Sequence, residues 1–101
     1  MIREKLIKFR DDRKWGNFHS PERLSAALHV EAGELAQLFQ WGKQPAIERI
    51  KEELADVAIY LEYIAAHYNL NIEDCIHEKI AKNAIRYPTD VDNAKVNGWS
   101  K

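Results

Sequence analysis

Three features of the sequence predict an all-α protein, a four-helix antiparallel bundle. Apolar residues recur at helical spacing in four stretches, and no stretch alternates apolar and polar residues as a strand would. Proline, serine, asparagine and glycine stand where those stretches would start or stop. The connections are only a few residues long, which folds successive helices antiparallel.

The first helix is expected around residues 2–14, before the loop Trp15-Gly16-Asn17-Phe18-His19. Ser20-Pro21-Glu22 then reads as a cap, a proline at the first helical position and an acid in the first turn. Leu24, Leu28, Leu35, Leu38 and Phe39 keep helical spacing from there, and Gly42 is the expected stop. Pro45 opens a third helix carrying Ile50, Leu54, Val57, Leu61 and Ile64, fading near Asn69. Asn71 caps a fourth with Ile72, Ile76 and Ile80, and Pro88 closes it at Tyr87. Residues 89–101 form a polar tail with one tryptophan, Trp99, and the whole of 1–101 reads as a single domain.

Composition narrows the function. The 101 residues are 46% hydrophobic, enough for a small core of the kind that often needs a partner subunit. The net charge of −1 offers no general attraction to nucleic acid or acidic membranes, so neither is an expected partner. No apolar run approaches the ~20 residues of a membrane span, and the first residues lack the apolar block of a signal peptide. The single cysteine, Cys75, forms no internal disulfide; it reads as an inert core residue of a cytoplasmic protein. Charge is blocked along the chain. Residues 3–14 carry six bases and three acids, residues 31–56 reverse that ratio, and Lys79, Lys82 and Arg86 follow without an acid between them. Such blocks suit an anionic ligand bridged by cations, although solvated helix faces also show them.

The apolar stripes are broken in an informative way. On the second helix, with Leu28 at zero and about 100° per residue, Glu31 falls near −60°, between Leu24 and Leu38, and Glu34 near −120°. On the third, with Val57 at zero, Glu53 falls at about −40°, between Ile64 and Tyr60, and Asp56 near −100°. Glu48, Glu52 and Glu62 fall on the opposite, solvated side and serve as controls. The pattern Glu31-x-x-Glu34 and Glu53-x-x-Asp56 puts each pair on one side of its helix, and a short turn can set the pairs face to face. Carboxylates so gathered need raised pKa values or bound cations. An all-oxygen set suits Mg²⁺, with Mn²⁺ as the alternative. The competing reading is that both pairs sit at stripe edges and bridge to Arg49, Lys51 or a neighbouring subunit.

On the fourth helix Lys79 and Asn83 interrupt the stripe; each is a common surface substitution, but together they could hold a phosphate chain and a base edge. Trp15, Phe18, Trp41 and Tyr60 could stack on a base or simply fill a small core. His19 could meet phosphate or water, or be structural.

Four blocks in order resemble the MazG-like superfamily of all-α nucleoside triphosphate pyrophosphohydrolases, closest to its dCTP pyrophosphatase branch. They are Arg13-Lys14-Trp15-Gly16-Asn17-Phe18-His19-Ser20-Pro21, Glu31-Ala32-Gly33-Glu34 running on to Trp41, Glu52-Glu53-Leu54-Ala55-Asp56 running on to Leu61, and Lys79 to Pro88. The resemblance implies hydrolysis of a nucleoside triphosphate to monophosphate and pyrophosphate, in the clearing of unwanted nucleotides. It implies that Glu31, Glu34, Glu53 and Asp56 hold Mg²⁺, and that Trp15, Phe18, His19, Trp41 and Tyr60 form the base and sugar pocket. Lys79 and Asn83 would reach the nucleotide, and the chain would assemble as a homo-oligomer, a dimer or a dimer of dimers. The mechanism expected is metal-assisted hydrolysis, with Glu34 orienting or deprotonating the water. Two rivals are a carboxylate-bridged di-iron protein, which would need a histidine three residues after an acid, and a non-catalytic nucleotide- or partner-binding module.

Overall fold

The structure is a computed structural model and describes residues 1–42 and 44–89; Lys43 and the tail from Asp90, Trp99 included, lie outside the described residues. Its secondary structure is helical throughout those residues: α1 (Ile2–Asp12), α2 (Pro21–Gln37), α3 (Ile47–His67) and α4 (Ile72–Arg86), with 3-10 turns at Gly16–Phe18 and Gln40–Gly42. The all-α class predicted above is therefore correct. Among the described residues no helix is long and apolar enough to cross a membrane.

The starts follow the sequence closely. The Ser20 hydroxyl accepts from the Arg23 amide at 3.3 Å, with Pro21 at the first helical position, and the Asn71 side chain accepts from the Asp74 amide at 2.9 Å. One stop does not. α2 ends at Gln37 rather than Gly42, because the amides of Leu38 and Phe39 bond back to the carbonyls of Leu35 and Ala36, three residues before them. Trp41 and Gly42 then take left-handed conformations with φ of 67° and 69°. Gly42 does so freely, whereas for Trp41 the conformation is strained.

The chain divides into two compact units, Met1–Asn69 and a second beginning at Leu70. In the first, α2 packs along α3, and α1 makes a smaller interface with α3. The second half of α2 meets the first half of α3 at Glu31, Glu34 and Glu53, as an antiparallel pair with a short connection would place them. Leu24, Tyr63 and Ala65 are buried in this unit, and α1 buries no residue fully. What ties α1 down is specific. Arg3 donates to Glu62 Oε1 from Nε at 3.2 Å and Nη2 at 3.0 Å, and the Tyr63 hydroxyl donates to the Leu6 carbonyl at 2.9 Å.

Two expectations need correction here. Glu62 is half-buried rather than solvated, because α1 lies over that side of α3 and supplies Arg3. Cys75 is exposed, not a core residue. It shares that exposure with the apolar stripe of its own helix, where Ile76 is 52% and Ile80 58% exposed, because α4 buries no residue fully.

Candidate metal centre and its adjoining cavity

The four acids singled out by helical spacing come from α2 and α3. Glu31, Glu34 and Glu53 each offer one carboxylate oxygen such that the three atoms lie within 4.8 Å of one another. Asp56 is outside that set, but it lines a cavity together with Glu31 and its charge acts on both Glu31 and Glu53. Glu53 is 6% exposed, and its Oε2 is buried with no hydrogen-bond partner. Glu31 is half-buried and Glu34 exposed, so the group runs from the helix interface out to solvent.

Electrostatics registers the crowding. The Glu31 carboxyl is held above the ordinary carboxylate range, first by desolvation, then by the charges of Glu34, Asp56 and Glu53. Glu53 is raised in the same way by desolvation, then by Glu34 and Asp56, while the Arg49 charge opposes the shift. None of the four acids forms an ion pair among the described residues; Lys51, offered above as a partner, bridges to Glu48 instead. Gathered acids with an orphaned buried oxygen and no ion-pair partner are the donor set a hard divalent cation requires. Among the described residues no histidine belongs to the group, which counts against the di-iron alternative.

Beside the acids lies a cavity of about 440 Å³. Glu31 and Asp56 mark its acidic edge, Ile59, Tyr60 and Tyr63 come from α3, and Ile2, Lys5, Leu6 and Phe9 form the α1 wall. Trp15 and His19 complete it from the loop between α1 and α2. Trp15 meets Phe9 edge-on at 5.8 Å, and His19 meets Tyr63 edge-on at 4.5 Å. Burial, with the Arg10 charge next, holds the His19 imidazole below its ordinary value, which favours the uncharged form.

Of the residues named from sequence, the structure thus brings Glu31, Glu34 and Glu53 together, and lines one cavity with Glu31, Asp56, Trp15, His19 and Tyr60. Phe18 and Trp41 do not line that cavity. Phe18 is 57% exposed under the Arg23 guanidinium, and Trp41 is 87% exposed on its left-handed turn. Lys79 and Asn83 lie one turn apart on α4, in the second unit. Sequence reasoning missed the α1 wall and Tyr63. The signal was present, since Ile2, Leu6 and Phe9 recur at helical spacing, but no carboxylate breaks that stripe to draw attention to it.

Fold and site together define an all-helical protein that offers a carboxylate centre beside an apolar cavity. The chain belongs to the MazG-like family, whose model matches residues 26–100. It is 41% identical over 97 residues to dCTP pyrophosphatase 1 of Mus musculus and 39% identical over 97 residues to that of Homo sapiens. Each alignment covers 86% of this chain, which spans 57% of the length of those relatives. A crystal structure of a pyrophosphatase from Archaeoglobus fulgidus superposes with a TM-score of 0.76 at 31% identity, covering 85% of this chain and 88% of that one.

Proposed function

We propose that this chain hydrolyses deoxynucleoside triphosphates, dCTP or a related pyrimidine nucleotide foremost, to the monophosphate and pyrophosphate. The observation that carries the proposal is the set of three glutamate oxygens within 4.8 Å, without an ion pair among the described residues, adjoining a cavity of about 440 Å³. Family membership and the names of the relatives support the reaction type and the base.

Glu31, Glu34, Glu53 and Asp56 would hold Mg²⁺, or Mn²⁺ in its place. Bound there, the cation supplies charge neutralisation for the phosphate chain and a more acidic water. Glu34, the most exposed of the three clustered glutamates, is the residue to orient or deprotonate that water. Trp15, His19 and Tyr60 hold the base and sugar, the aromatic faces by stacking and the uncharged imidazole by hydrogen bonding. Phe18, Trp41, Lys79 and Asn83 are carried over from the family resemblance as further nucleotide contacts.

We also read the chain as a cytoplasmic homo-oligomer, a dimer or a dimer of dimers, with its helices in a bundle. Val30, Phe39 and Trp41 near the end of α2, and Ile47, Leu54 and Leu61 of α3, are all at least 40% exposed. Exposed apolar side chains in that number on so small a chain favour a second copy. The test of function is a panel of ribo- and deoxynucleoside triphosphates with Mg²⁺, the products being separated by anion exchange. Monophosphate with pyrophosphate, lost on adding EDTA, is the expected result. Diphosphate with orthophosphate would overturn the proposed cleavage, and no product at all would favour a non-catalytic binding module.

A further inference from the structure

Tyr63 belongs to no block of the family resemblance, yet it is a buried side chain that touches both α1 and the cavity. It is 6% exposed, its hydroxyl donates to the Leu6 carbonyl at 2.9 Å, and its ring meets His19 edge-on at 4.5 Å. Leu6 and His19 are themselves cavity residues on two other elements. The phenol therefore joins three walls of the cavity: α1, the loop before α2, and its own helix.

The His19 ring depends on this neighbour. Its backbone amide is fixed on the Gly16 carbonyl at 3.1 Å, but Nδ1 is buried with no hydrogen-bond partner. An imidazole without a partner at Nδ1 is oriented there by packing alone, and the edge of Tyr63 supplies the packing. α1, for its part, has no fully buried residue, so the Leu6 contact and the Arg3–Glu62 pair add to half-buried apolar packing in keeping it closed on α3.

From this juxtaposition we infer that Tyr63 is a positioning residue for nucleoside recognition: it holds the α1 wall through Leu6 and aims the His19 imidazole, and so sets how tightly the base and sugar are held. As a role in nucleoside binding it rests on the function proposed above. Tyr63 lines the same cavity as Glu31 and Asp56, but its hydrogen bond and its ring contact go to Leu6 and His19 and not to an acid of the cluster. It contributes equally to ground and transition states, so its loss raises KM and spares kcat.

The test uses the full chain with Tyr63→Phe and Tyr63→Leu, and with His19→Ala in the wild-type and Tyr63→Leu backgrounds. Two readouts are taken: KM and kcat for the best triphosphate with Mg²⁺, and calorimetric affinity for dCMP in EDTA, which needs no turnover. Tyr63→Phe keeps the ring and loses only the Leu6 bond; a neutral hydrogen bond is worth about fivefold in an equilibrium, so KM rises about fivefold with kcat within about twofold. Tyr63→Leu costs more, and dCMP affinity falls in parallel. His19→Ala then adds less in the Tyr63→Leu background than in the wild type, as coupled residues do. A lowered melting temperature with KM and dCMP affinity unchanged would overturn the proposal, leaving Tyr63 a structural residue only. So would the same His19→Ala loss in both backgrounds. A wild type that binds dCMP but cleaves no triphosphate would overturn the hydrolase reading alone, since Tyr63 is still judged by affinity.

Discussion

The α2–α3 pair and the α1 wall are both amphipathic, yet they hold the site in opposite ways. The pair buries its contact face and places a carboxylate inside it, with Glu53 and Leu24 among the most buried side chains described. α1 buries nothing fully, and the polar contacts that attach it are one phenol and one ion pair. The lesson is a division of labour by rigidity. A cation site needs ligands fixed to a few tenths of an ångström, which two packed helices provide. A nucleoside pocket tolerates a wall held by a few contacts, because stacking and apolar burial are forgiving of position.

Mutations at the two regions should break that comparison differently. The largest effect belongs to Glu53. Glu53→Gln should lower turnover by more than about a hundredfold, since even residues behind metal ligands cost 10–100-fold. Its helical circular dichroism should be unchanged; a near-normal rate would remove Glu53 from the metal set. At the cavity, Trp15→Ala should raise KM by about tenfold, the scale of one lost stacking contact, with kcat nearly unchanged. A fall in kcat of the same size would move Trp15 from binding to chemistry.

The acids also make stability depend on pH in a stated direction. Glu31 and Glu53 have folded-state pKa values raised above the ordinary glutamate value of 4.5. The native state thus binds their protons more tightly than the unfolded chain does. Their contribution to stability is present at acid pH and is lost as pH rises from about that value through the raised ones. Melting curves without metal should show this loss, and Glu53→Gln should lessen it. Added Mg²⁺ should restore stability, by an increment that grows with pH because the ligands must be deprotonated. An increment independent of pH would mean the cation binds elsewhere. The smallest effect is on α1. Arg3→Met removes a partly exposed ion pair and should cost about 1 kcal/mol or less by chemical denaturation. A larger loss would mean that α1 is as firmly packed as α2 and α3.

Much of this was legible without coordinates. The caps at Ser20 and Asn71, the proline at the head of α2 and the four apolar stripes are local signals, satisfied within a few residues of themselves. The two acid pairs were legible for the same reason: an acid on an apolar stripe is out of place whatever the stripe packs against. The end of α2 was not. Spacing continued to Phe39, while the backbone chose three-residue hydrogen bonds after Gln37.

The sequence by itself determined where four helices begin, which faces are apolar, and which carboxylates break them. Only the tertiary structure decided that Glu31, Glu34 and Glu53 converge more tightly than Asp56, that Glu62 turns from a solvated residue into an ion-pair partner, and that Tyr63 joins α1 to His19. The physical reason is that helical periodicity fixes angles about one axis. Distances between axes depend on which residues meet across the interface, and Arg3 lies 59 residues from Glu62 and Leu6 57 from Tyr63 along the chain.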